Sequence, residues 1–390
     1  MSWFYWIAGC LLALAWLSRL LDAAIGMPSV ANISLPEWDG SPAQNGVSPR
    51  VTIIVPARNE EADIAASLER LAVLDYDNYE VIAVNDRSTD HTGALMDAVA
   101  AKCSPGRLRI AHIAELPSGW LGKPHAMWSA ARQSTADWLL FTDADILFRP
   151  DALRRAVAYA ESVPADHLVL FPWLIMKSPG EKMMISFFQT TFTFGHRPWK
   201  VADPKAKDYM GVGAFNLIRR RAYEALGTYA ALRFEIVDDL KLGKVVKESG
   251  FAQRCVFGGD LISLHWGDGA VGIINNVTKN FFAIMSFQTW RMTASCFAVA
   301  FLNLMPFLGL LAAPGWAKLP FGLALFGIFG LYVGMSQFSG LRPYYFLLHP
   351  VSAVLFVYAM LRSMILTLSQ RGVIWRGTKY SLEELRRGLV

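Results

Sequence analysis

The chain is poor in cysteine, and the few cysteines that it has form no recognisable motif. They stand at positions 10, 103, 255 and 296 of 390 residues, so no two are spaced as C-x-x-C. Because a disulfide framework or a zinc site needs closely spaced sulfur ligands, this composition argues against both. The sequence also contains no internal repeat and no low-complexity tract.

Charged residues are scarce as well. They make up 18% of the chain against 54% hydrophobic residues, a balance too apolar for an ordinary soluble enzyme. The net charge of +5 comes from basic residues that are scattered or that lie beside apolar blocks, where they can meet anionic lipid headgroups. This distribution does not indicate a nucleic-acid partner.

Long hydrophobic runs account for the apolar balance. Residues 3–21 are interrupted only by Ser18 and Arg19, and this run is about long enough to span a bilayer. No basic residue precedes it, which favours an uncleaved anchor over a cleaved signal peptide. Three later blocks with few or no charges are further candidate spans, at residues 294–313, 319–336 and 350–368.

Between residues 50 and 265 the pattern changes to short apolar runs that alternate with helical spacing. The predicted strands are residues 51–55, 80–84, 108–113 and 138–141, and the predicted helices are residues 63–74, 91–101 and 123–133. This alternation predicts a mostly parallel sheet with crossover helices. Residues 180–199, which are aromatic and methionine-rich, fit either a buried core or a membrane surface.

The most informative segment follows the fourth predicted strand. Asp143 and Asp145 flank one small residue there, so both carboxylates fall at the C-terminal end of a buried strand. Ligands of open α/β sheets bind just beyond these strand ends. Two carboxylates at that place suit Mg²⁺ or Mn²⁺ held jointly by the protein and a substrate diphosphate. An isolated D-x-D motif is more often a solvated turn than a metal site. The other motifs of the same domain therefore determine which interpretation is favoured here.

Further polar residues close the other predicted strands or lie in nearby loops. Asp86 follows the second strand, where an acid can accept hydrogen bonds from a nucleotide. Lys123 is a flexible cation suited to a diphosphate. Asp238 and Asp239 precede a predicted helix, and an acid there could accept a proton from an attacking hydroxyl. Each residue alone has a structural alternative as a helix cap, a turn residue or a solvated charge. Their joint occurrence favours the functional interpretation.

Together these motifs resemble those of family 2 glycosyltransferases, which are membrane-bound, inverting enzymes with the GT-A fold. The resemblance covers residues 51–291. It implies an α/β catalytic domain with a Rossmann-like, mostly parallel sheet, one N-terminal transmembrane helix and several C-terminal ones. It also implies a nucleotide-sugar donor, with a UDP-sugar as the expected kind, and Mg²⁺ or Mn²⁺ as the cofactor.

The resemblance assigns the donor-binding residues. Pro56, Ala57, Asn59 and Glu60 match the family's opening strand and nucleotide loop, and Asp86 matches the acid that contacts the nucleotide.

The same resemblance assigns the residues of the chemical step. Asp143 and Asp145 match the metal-binding D-x-D, with Lys123 expected to assist at the diphosphate. Asp239 matches the catalytic base, and Asp238 stands where the family usually has Glu. The implied reaction is a single displacement. Asp239 removes the proton of an acceptor hydroxyl as it attacks the anomeric carbon, and the configuration inverts.

Three other stretches bear on the acceptor. The family's Q-x-x-R-W motif appears with Gln288 and Arg291 in place and Met292 instead of Trp, and these two residues are expected to order the acceptor or the leaving diphosphate. The motifs at residues 119–123 and 375–380 resemble those of bacterial lipid glycosyltransferases related to ceramide glucosyltransferases and to enzymes of hopanoid and carotenoid glycosylation. A membrane lipid is therefore the expected acceptor.

The expected organisation runs from a transmembrane anchor to a basic tail. Its parts are an anchor at residues 1–25, a linker at 26–49, the GT-A domain at 50–265, an interfacial segment at 266–292, a transmembrane region at 293–370 and a tail at 371–390. Because nucleotide sugars are cytosolic, we expect a multi-pass protein of the inner membrane whose catalytic domain faces the cytoplasm, and Arg19 at the inner end of the first span agrees. Three later spans would place the tail outside, whereas its basic residues favour the inside.

Two other functions are compatible with parts of this pattern. A processive polysaccharide synthase coupled to export usually has more spans around a polar channel and an intact Q-x-x-R-W motif. A non-catalytic membrane protein could retain a nucleotide-sugar-binding domain, but the presence of Asp86, Asp143, Asp145 and Asp239 argues against that class.

Overall fold

The computed structural model of the chain describes residues 2–40 and 47–388, so part of the predicted linker and the last two residues of the tail lie outside the described residues. Within these ranges the strands, in chain order, are β1 (Val51–Ala57), β2 (Tyr79–Asp86), β3 (Leu108–Ile113), β4 (Trp138–Phe141), β5 (Leu147–Phe148), β6 (His167–Phe171), β7 (Trp173–Leu174), β8 (Asn216–Arg219), β9 (Gln253–Phe257), β10 (Ile262–Leu264), β11 (Gly372–Trp375) and β12 (Thr378–Ser381).

The α-helices of the same residues alternate with these strands and then dominate the last third of the chain. They are α1 (Ser2–Gly26), α2 (Ile64–Leu71), α3 (Thr92–Ala100), α4 (Gly122–Ala131), α5 (Ala152–Ser162), α6 (Pro179–Gly195), α7 (Arg220–Ala225), α8 (Thr228–Ala231), α9 (Asp238–Glu248), α10 (Gly269–Ile284), α11 (Thr289–Ala312), α12 (Leu319–Ser339), α13 (His349–Ser369) and α14 (Leu382–Arg387).

These elements form two compact units, each assembled from separate stretches of chain. The helical unit contains the chain up to Ser29, Met176–Trp199 and Trp266–Val373. The sheet unit contains Val30–Ile175, Lys200–His265 and the chain from Ile374 onward. The aromatic stretch at residues 180–199, most of which forms α6, therefore belongs to the helical unit.

The sheet unit is built on a seven-stranded sheet with the strand order β3–β2–β1–β4–β8–β6–β9. β1 pairs in parallel with β2 and β4, with Val51 aligned to Tyr79 on one side and to Trp138 on the other. The C-terminal ends of these three strands therefore meet at one edge, which confirms the predicted mostly parallel α/β sheet. β8 runs antiparallel to β4, with Asn216 aligned to Phe141, so the residues before β8 reach that same edge.

Helix α4 is held against this sheet by close apolar packing. Ala126 and Ala130 are fully buried in one cluster with Ile54, Ile82 and Leu139 of the sheet. Small side chains let the helix approach the strands, and burying each Ile or Leu contributes about 1.5–3 kcal/mol. The packing fixes the first turn of α4 beside the edge where the strands end.

A buried polar network ties the other half of the sheet to the chain before β8. The Gln253 side-chain amide donates to Nδ1 of His167 at 2.8 Å, and Nε2 of His167 bonds Oδ1 of Asn216 at 3.1 Å. Burial lowers the pKa of His167 to about 4, so the ring is neutral and can accept at one nitrogen and donate at the other. Gln253 also accepts from the backbone N–H of Met210 at 2.9 Å, which anchors the loop that leads to β8.

Part of the predicted linker packs on the sheet unit. Asn32 forms a parallel bridge with Phe257, and Ile33 is fully buried. The guanidinium of Arg155 donates to the carbonyl of Leu35 at 2.8 Å. Residues 30–35 are therefore an ordered part of this unit.

Four helices of the described residues are long and apolar enough to cross a membrane. They comprise Trp3–Ser29, Thr289–Ala312, Gly315–Ser339 and Pro343–Ser369, and they coincide with the four apolar blocks of the sequence. Pro306 lies inside α11 without ending it, and Pro350 stands in the first turn of α13, where its missing N–H is tolerated.

Within the helical unit, small residues allow close helix packing. A Cβ on Gly327 of α12 would lie only 2.9 Å from Cβ of Trp16 in α1, so glycine is needed for this approach. The indole N–H of Trp16 donates to the carbonyl of Leu302 at 3.0 Å. His349, fully buried, bonds Asn303 at 3.0 Å, which satisfies two polar groups in an apolar surrounding.

Candidate active site

The candidate site is formed at the edge of the sheet where β1, β2 and β4 end. Ala57 and Asp86 are the last residues of β1 and β2, and Asp143 follows the end of β4 by two residues. The backbone N–H of Asp143 donates to the carbonyl of Gly213 at 3.1 Å, because β8 returns to the same edge from the opposite direction. Residues far apart in sequence therefore meet here, as the positions of the strand ends predict.

Lys123 joins two of the predicted acids. Its Nζ lies 2.7 Å from Oδ1 of Asp143 and 3.4 Å from Oδ1 of Asp238. Burial opposes the charge of this amine, but Asp143, Asp238 and Asp239 outweigh burial and hold the pKa of Lys123 above its usual range. The lysine is therefore a fixed cation at the centre of the site.

The two adjacent acids at the start of α9 have different surroundings. Asp238 is 2% exposed and faces Lys123, whereas Asp239 is only half-buried. Oδ2 of Asp239 accepts from the N–H of Gly213 and Oδ1 from the N–H of Leu240, each at 2.7 Å. Burial and then Asp143 raise the pKa of Asp239, against the effect of Lys123 and these two hydrogen bonds. Asp239 is thus an oriented carboxylate with a raised proton affinity.

A second group of acids surrounds Asp145. Burial, and then the charges of Asp143 and Asp63, raise the pKa of Asp145 to about 6. Burial raises the pKa of Glu60 to about 7, opposed by Arg376 and reinforced by Asp145 and Asp143. These carboxylates share one region of negative potential, which favours a cation.

The loop after β1 is tied to the loop after β2. Asn59 has a φ of +53°, and its backbone N–H donates to the Ser88 hydroxyl at 3.1 Å. Its side-chain oxygen accepts from the N–H of Thr89 at 2.8 Å, while the N–H of Glu60 donates to Thr92 at 2.8 Å. Pro56 and Ala57 lead into this loop as the last residues of β1. The predicted nucleotide loop is therefore a rigid turn.

Asp86 is buried and forms a bidentate ion pair with its neighbour Arg87, at 2.7 and 3.0 Å. Arg87 has a φ of +57°, which turns its guanidinium back onto Asp86. A Cβ on Gly122 would overlap Oδ2 of Asp86, so the start of α4 approaches this acid as closely as only glycine allows.

The two residues of the altered Q-x-x-R-W motif lie in the helical unit. Gln288 precedes α11, and Arg291 stands exposed in its first turn with its guanidinium 5.5 Å from the ring centre of Trp290. Met292, which replaces the Trp of the motif, is fully buried. Their expected roles at the acceptor or the diphosphate stay predictions.

The loop at residues 210–213 was not identified from the sequence, although it shapes the site. A Cβ on Gly211 would overlap the backbone carbonyl of Asp239, and Gly213 binds the Asp239 carboxylate through its N–H. The sequence signal was the pair of glycines in Met210-Gly-Val-Gly213, directly before an apolar strand. Glycine in or next to a strand often marks a site where another backbone segment approaches closely.

Gly213→Ala tests whether this close approach matters. The added Cβ would overlap Oδ2 of Asp143 and lie 3.4 Å from Oδ2 of Asp239, so the Asp143 carboxylate must shift from its observed position. Because misplacing a reacting group by about 1 Å can cost about 10²-fold in rate, we expect turnover to fall by up to that factor. The melting temperature should change little. Gly40→Ala is the control, since nothing lies within 4 Å of its added Cβ. Equal turnover of both variants would show that Asp143 does not need its observed position.

Comparison with known proteins finds a family model that matches part of the chain. Residues 52–227 match the family model described as glycosyl transferase family 2. A beta-monoglucosyldiacylglycerol synthase of Synechocystis is 31% identical over 165 residues, which are 40% of this chain and 33% of that enzyme. The chain thus spans about a third of that relative. A 4,4'-diaponeurosporenoate glycosyltransferase of Staphylococcus aureus (strain bovine RF122) is 22% identical over 95% of this chain and 99% of its own length.

A solved structure shows the same fold. The mannosyltransferase PcManGT from Pyrobaculum calidifontis, in complex with GDP-Man and Mn²⁺, superimposes with a TM-score of 0.51 at 17% sequence identity. The superposition covers 93% of this chain and 99% of that one. At this sequence identity the likeness shows the fold of the chain alone.

Proposed function

We propose that the chain is a membrane-bound, inverting glycosyltransferase, and the match of residues 52–227 to the model of glycosyl transferase family 2 supports this proposal. The donor is a nucleotide sugar, most simply a UDP-sugar, and the acceptor is the hydroxyl group of a membrane lipid. The observation that supports this proposal best is the oriented, half-buried carboxylate of Asp239 beside the Lys123–Asp143 ion pair.

In this proposal the strand ends bind the donor. The turn of Asn59 and Glu60, entered through Pro56 and Ala57, and the buried Asp86 would contact the nucleotide. Lys123 and Asp143 would lie at the diphosphate, where the fixed ammonium group of Lys123 is a donor of hydrogen bonds to phosphate oxygens. The ion pair of Asp86 with Arg87 presents a carboxylate that is already oriented before a ligand arrives.

Asp239 would act as the base on the acceptor. The two backbone N–H groups hold its carboxylate in one orientation, and its raised pKa suits a group that must accept a proton during the reaction. An attack from the face opposite the leaving diphosphate inverts the anomeric carbon. Asp238, buried against Lys123, would instead keep that lysine in place.

The acids of the site fit a divalent cation held together with substrate. Among residues 2–40 and 47–388, no group of three or more His, Cys, Asp or Glu side chains is arranged to hold a metal ion. Mg²⁺ and Mn²⁺ sites in enzymes of this kind need one or two carboxylates plus phosphate oxygens, and Asp143 and Asp145 supply that number. A bound ion would offset the negative charge on the leaving diphosphate. Burial, and then the negative charge of Asp143, raise the pKa of Asp145, and such an ion would balance that charge.

The lipid acceptor is supported by the helices and by the relatives. Four helices can cross a membrane, and two relatives are named for a glucosyldiacylglycerol and for diaponeurosporenoate. Gln288 and Arg291, at the start of a membrane helix, would order the acceptor or the leaving diphosphate. Because nucleotide sugars are cytosolic, we place the sheet unit on the cytoplasmic side of the inner membrane.

The acceptor prediction is tested with the purified chain in nanodiscs made from the lipids of its own host. We expect that one sugar from a UDP-sugar is transferred to a lipid, seen by mass spectrometry as a single hexose or aminohexose addition. Asp239→Asn in the same nanodiscs is the control for enzyme-independent transfer. Long polymeric product would favour a processive polysaccharide synthase, and the absence of product with any nucleotide sugar would contradict the proposal.

A further inference from the structure

Apart from Lys123, two sequence motifs have no part in the chemistry described so far, and the structure brings them together. The stretch at residues 119–123 ends at Lys123, and the stretch at residues 375–380 follows the last membrane helix. The backbone N–H of Gly122 donates to the hydroxyl of Tyr380 at 3.1 Å, and Tyr380 is 8% exposed. Tyr380 also lies near Arg87, the partner of Asp86, and helps to raise the pKa of that guanidinium after the larger effects of Asp86. One tyrosine thus contacts the first turn of α4 and lies near the buried Asp86–Arg87 ion pair.

Arg376 makes a second connection from the same segment. It pairs with the carboxylate of Glu60, and its other terminal nitrogen donates to the carbonyl of Asn59 at 3.1 Å. Arg376 and Gly377 form the two-residue turn between β11 and β12, with φ values of +47° and +77°. Two positive φ angles in succession are typical of a tight hairpin turn, in which an arginine is uncommon. The turn therefore places the Arg376 side chain against the loop of Asn59 and Glu60.

Helix α14 and the residue that follows it, Gly388, pack against the sheet unit. Leu385 of α14 is fully buried, and a Cβ on Gly388 would overlap the ring of Phe234. Ser381 caps α14 by accepting from the N–H of Glu384 at 3.2 Å. Buried apolar contacts on both sides of the helix hold Arg376 and Tyr380 against the sheet unit.

We propose, building on the proposed function, that the segment from Ile374 to Gly388 completes the nucleotide-sugar site, with Arg376 and Tyr380 as donor-positioning residues. Arg376 fixes the Asn59–Glu60 turn and supplies positive charge beside acids that would otherwise repel an incoming diphosphate. Tyr380 fixes the start of α4, and with it the position of Lys123. Both residues act on the donor through other residues of the site.

The test compares Arg376→Ala, Arg376→Lys and Tyr380→Phe with Lys379→Ala, which removes one exposed positive charge from the same segment. Affinity for UDP in the presence of Mn²⁺ is measured by calorimetry on the full chain in nanodiscs, and KM for the donor and kcat are measured separately. We expect Arg376→Ala to weaken UDP binding and to raise KM for the donor by about tenfold, the loss typical of one charge-assisted hydrogen bond. kcat should stay close to that of the wild type.

The other variants separate positioning from general stability or charge. Arg376→Lys should recover part of the affinity, Tyr380→Phe should weaken UDP binding without a lower melting temperature, and Lys379→Ala should resemble the wild type. Unchanged UDP affinity in both Arg376→Ala and Tyr380→Phe, or an equal loss in Lys379→Ala, would overturn this inference alone. A wild-type chain that neither binds UDP or GDP nor transfers a sugar would overturn the proposed function and this inference with it.

Discussion

Asp239→Asn is expected to lower turnover by at least about 10²–10⁴-fold, the usual contribution of a general base, while the affinity for the donor stays nearly unchanged. The amide has almost the same shape as the carboxylate but cannot accept the proton of the acceptor hydroxyl. Only one of its two terminal atoms can still accept from the N–H groups of Gly213 and Leu240. Turnover and nucleotide affinity are measured side by side in nanodiscs.

The matched variant is Asp238→Asn, which changes the adjacent acid in the same way. Asp238 is buried and lies 3.4 Å from Lys123, so its loss leaves the lysine paired with Asp143 at 2.7 Å. We therefore expect a smaller loss of turnover from Asp238→Asn or Asp238→Glu than from Asp239→Asn. If Asp238→Asn were inactive and Asp239→Asn nearly normal, the base would be assigned to the wrong residue. Activity in both would remove the main support for the proposed mechanism.

The second large effect concerns the cation. We expect Asp145→Ala to abolish transfer and to weaken the binding of Mn²⁺ in the presence of UDP, because it removes one of the two carboxylates that fit the ion. Excess EDTA should abolish transfer by the wild type, and added Mg²⁺ or Mn²⁺ should restore it. Calorimetry with Mn²⁺ gives a measure that does not depend on activity.

Asp97→Ala is the control for this experiment. Asp97 is an exposed acid of α3 that pairs with His112 at 3.1 Å, so its loss removes the same charge without removing a carboxylate that is proposed to hold the ion. It should leave transfer and Mn²⁺ binding unchanged. Undiminished transfer by the wild type in excess EDTA would rule out a metal requirement.

The strands and their polar ends were predictable because they depend on local patterns. Residues 138–141 and 108–113 form strands with the predicted bounds. The strand predicted at 51–55 is two residues longer and ends at Ala57. A buried apolar run followed by acids specifies both a strand and the edge at which it ends. Parallel pairing of β1 with β2 and β4 then brings Asp86 and Asp143 to one edge. The fold is confirmed, and the assigned roles stay predictions.

The rest of the site depends on contacts between distant residues, which one sequence does not encode in a readable way. The antiparallel direction of β8 brings Gly213 to Asp239, and no local pattern distinguishes that direction from the parallel one. Gln253 of β9 anchors the loop at Met210 through its side chain. The sequence alone does not show that a polar residue in this strand bonds a loop far away in the chain. The contact of Arg376 with Glu60 likewise requires knowing where the end of the chain returns.

The order of the three stretches that make the sheet unit has a consequence for biosynthesis. The unit receives its last stretch, from Ile374 onward, only after the helices of Trp266–Val373 have been made. At ribosomal rates of about 5–20 residues per second, the roughly 110 residues after His265 take on the order of ten seconds. During that interval Gly122 lacks its hydrogen bond to Tyr380, and Glu60 lacks its ion pair with Arg376. The sheet unit is therefore complete only after the three later helices that are long and apolar enough to cross a membrane have been synthesised.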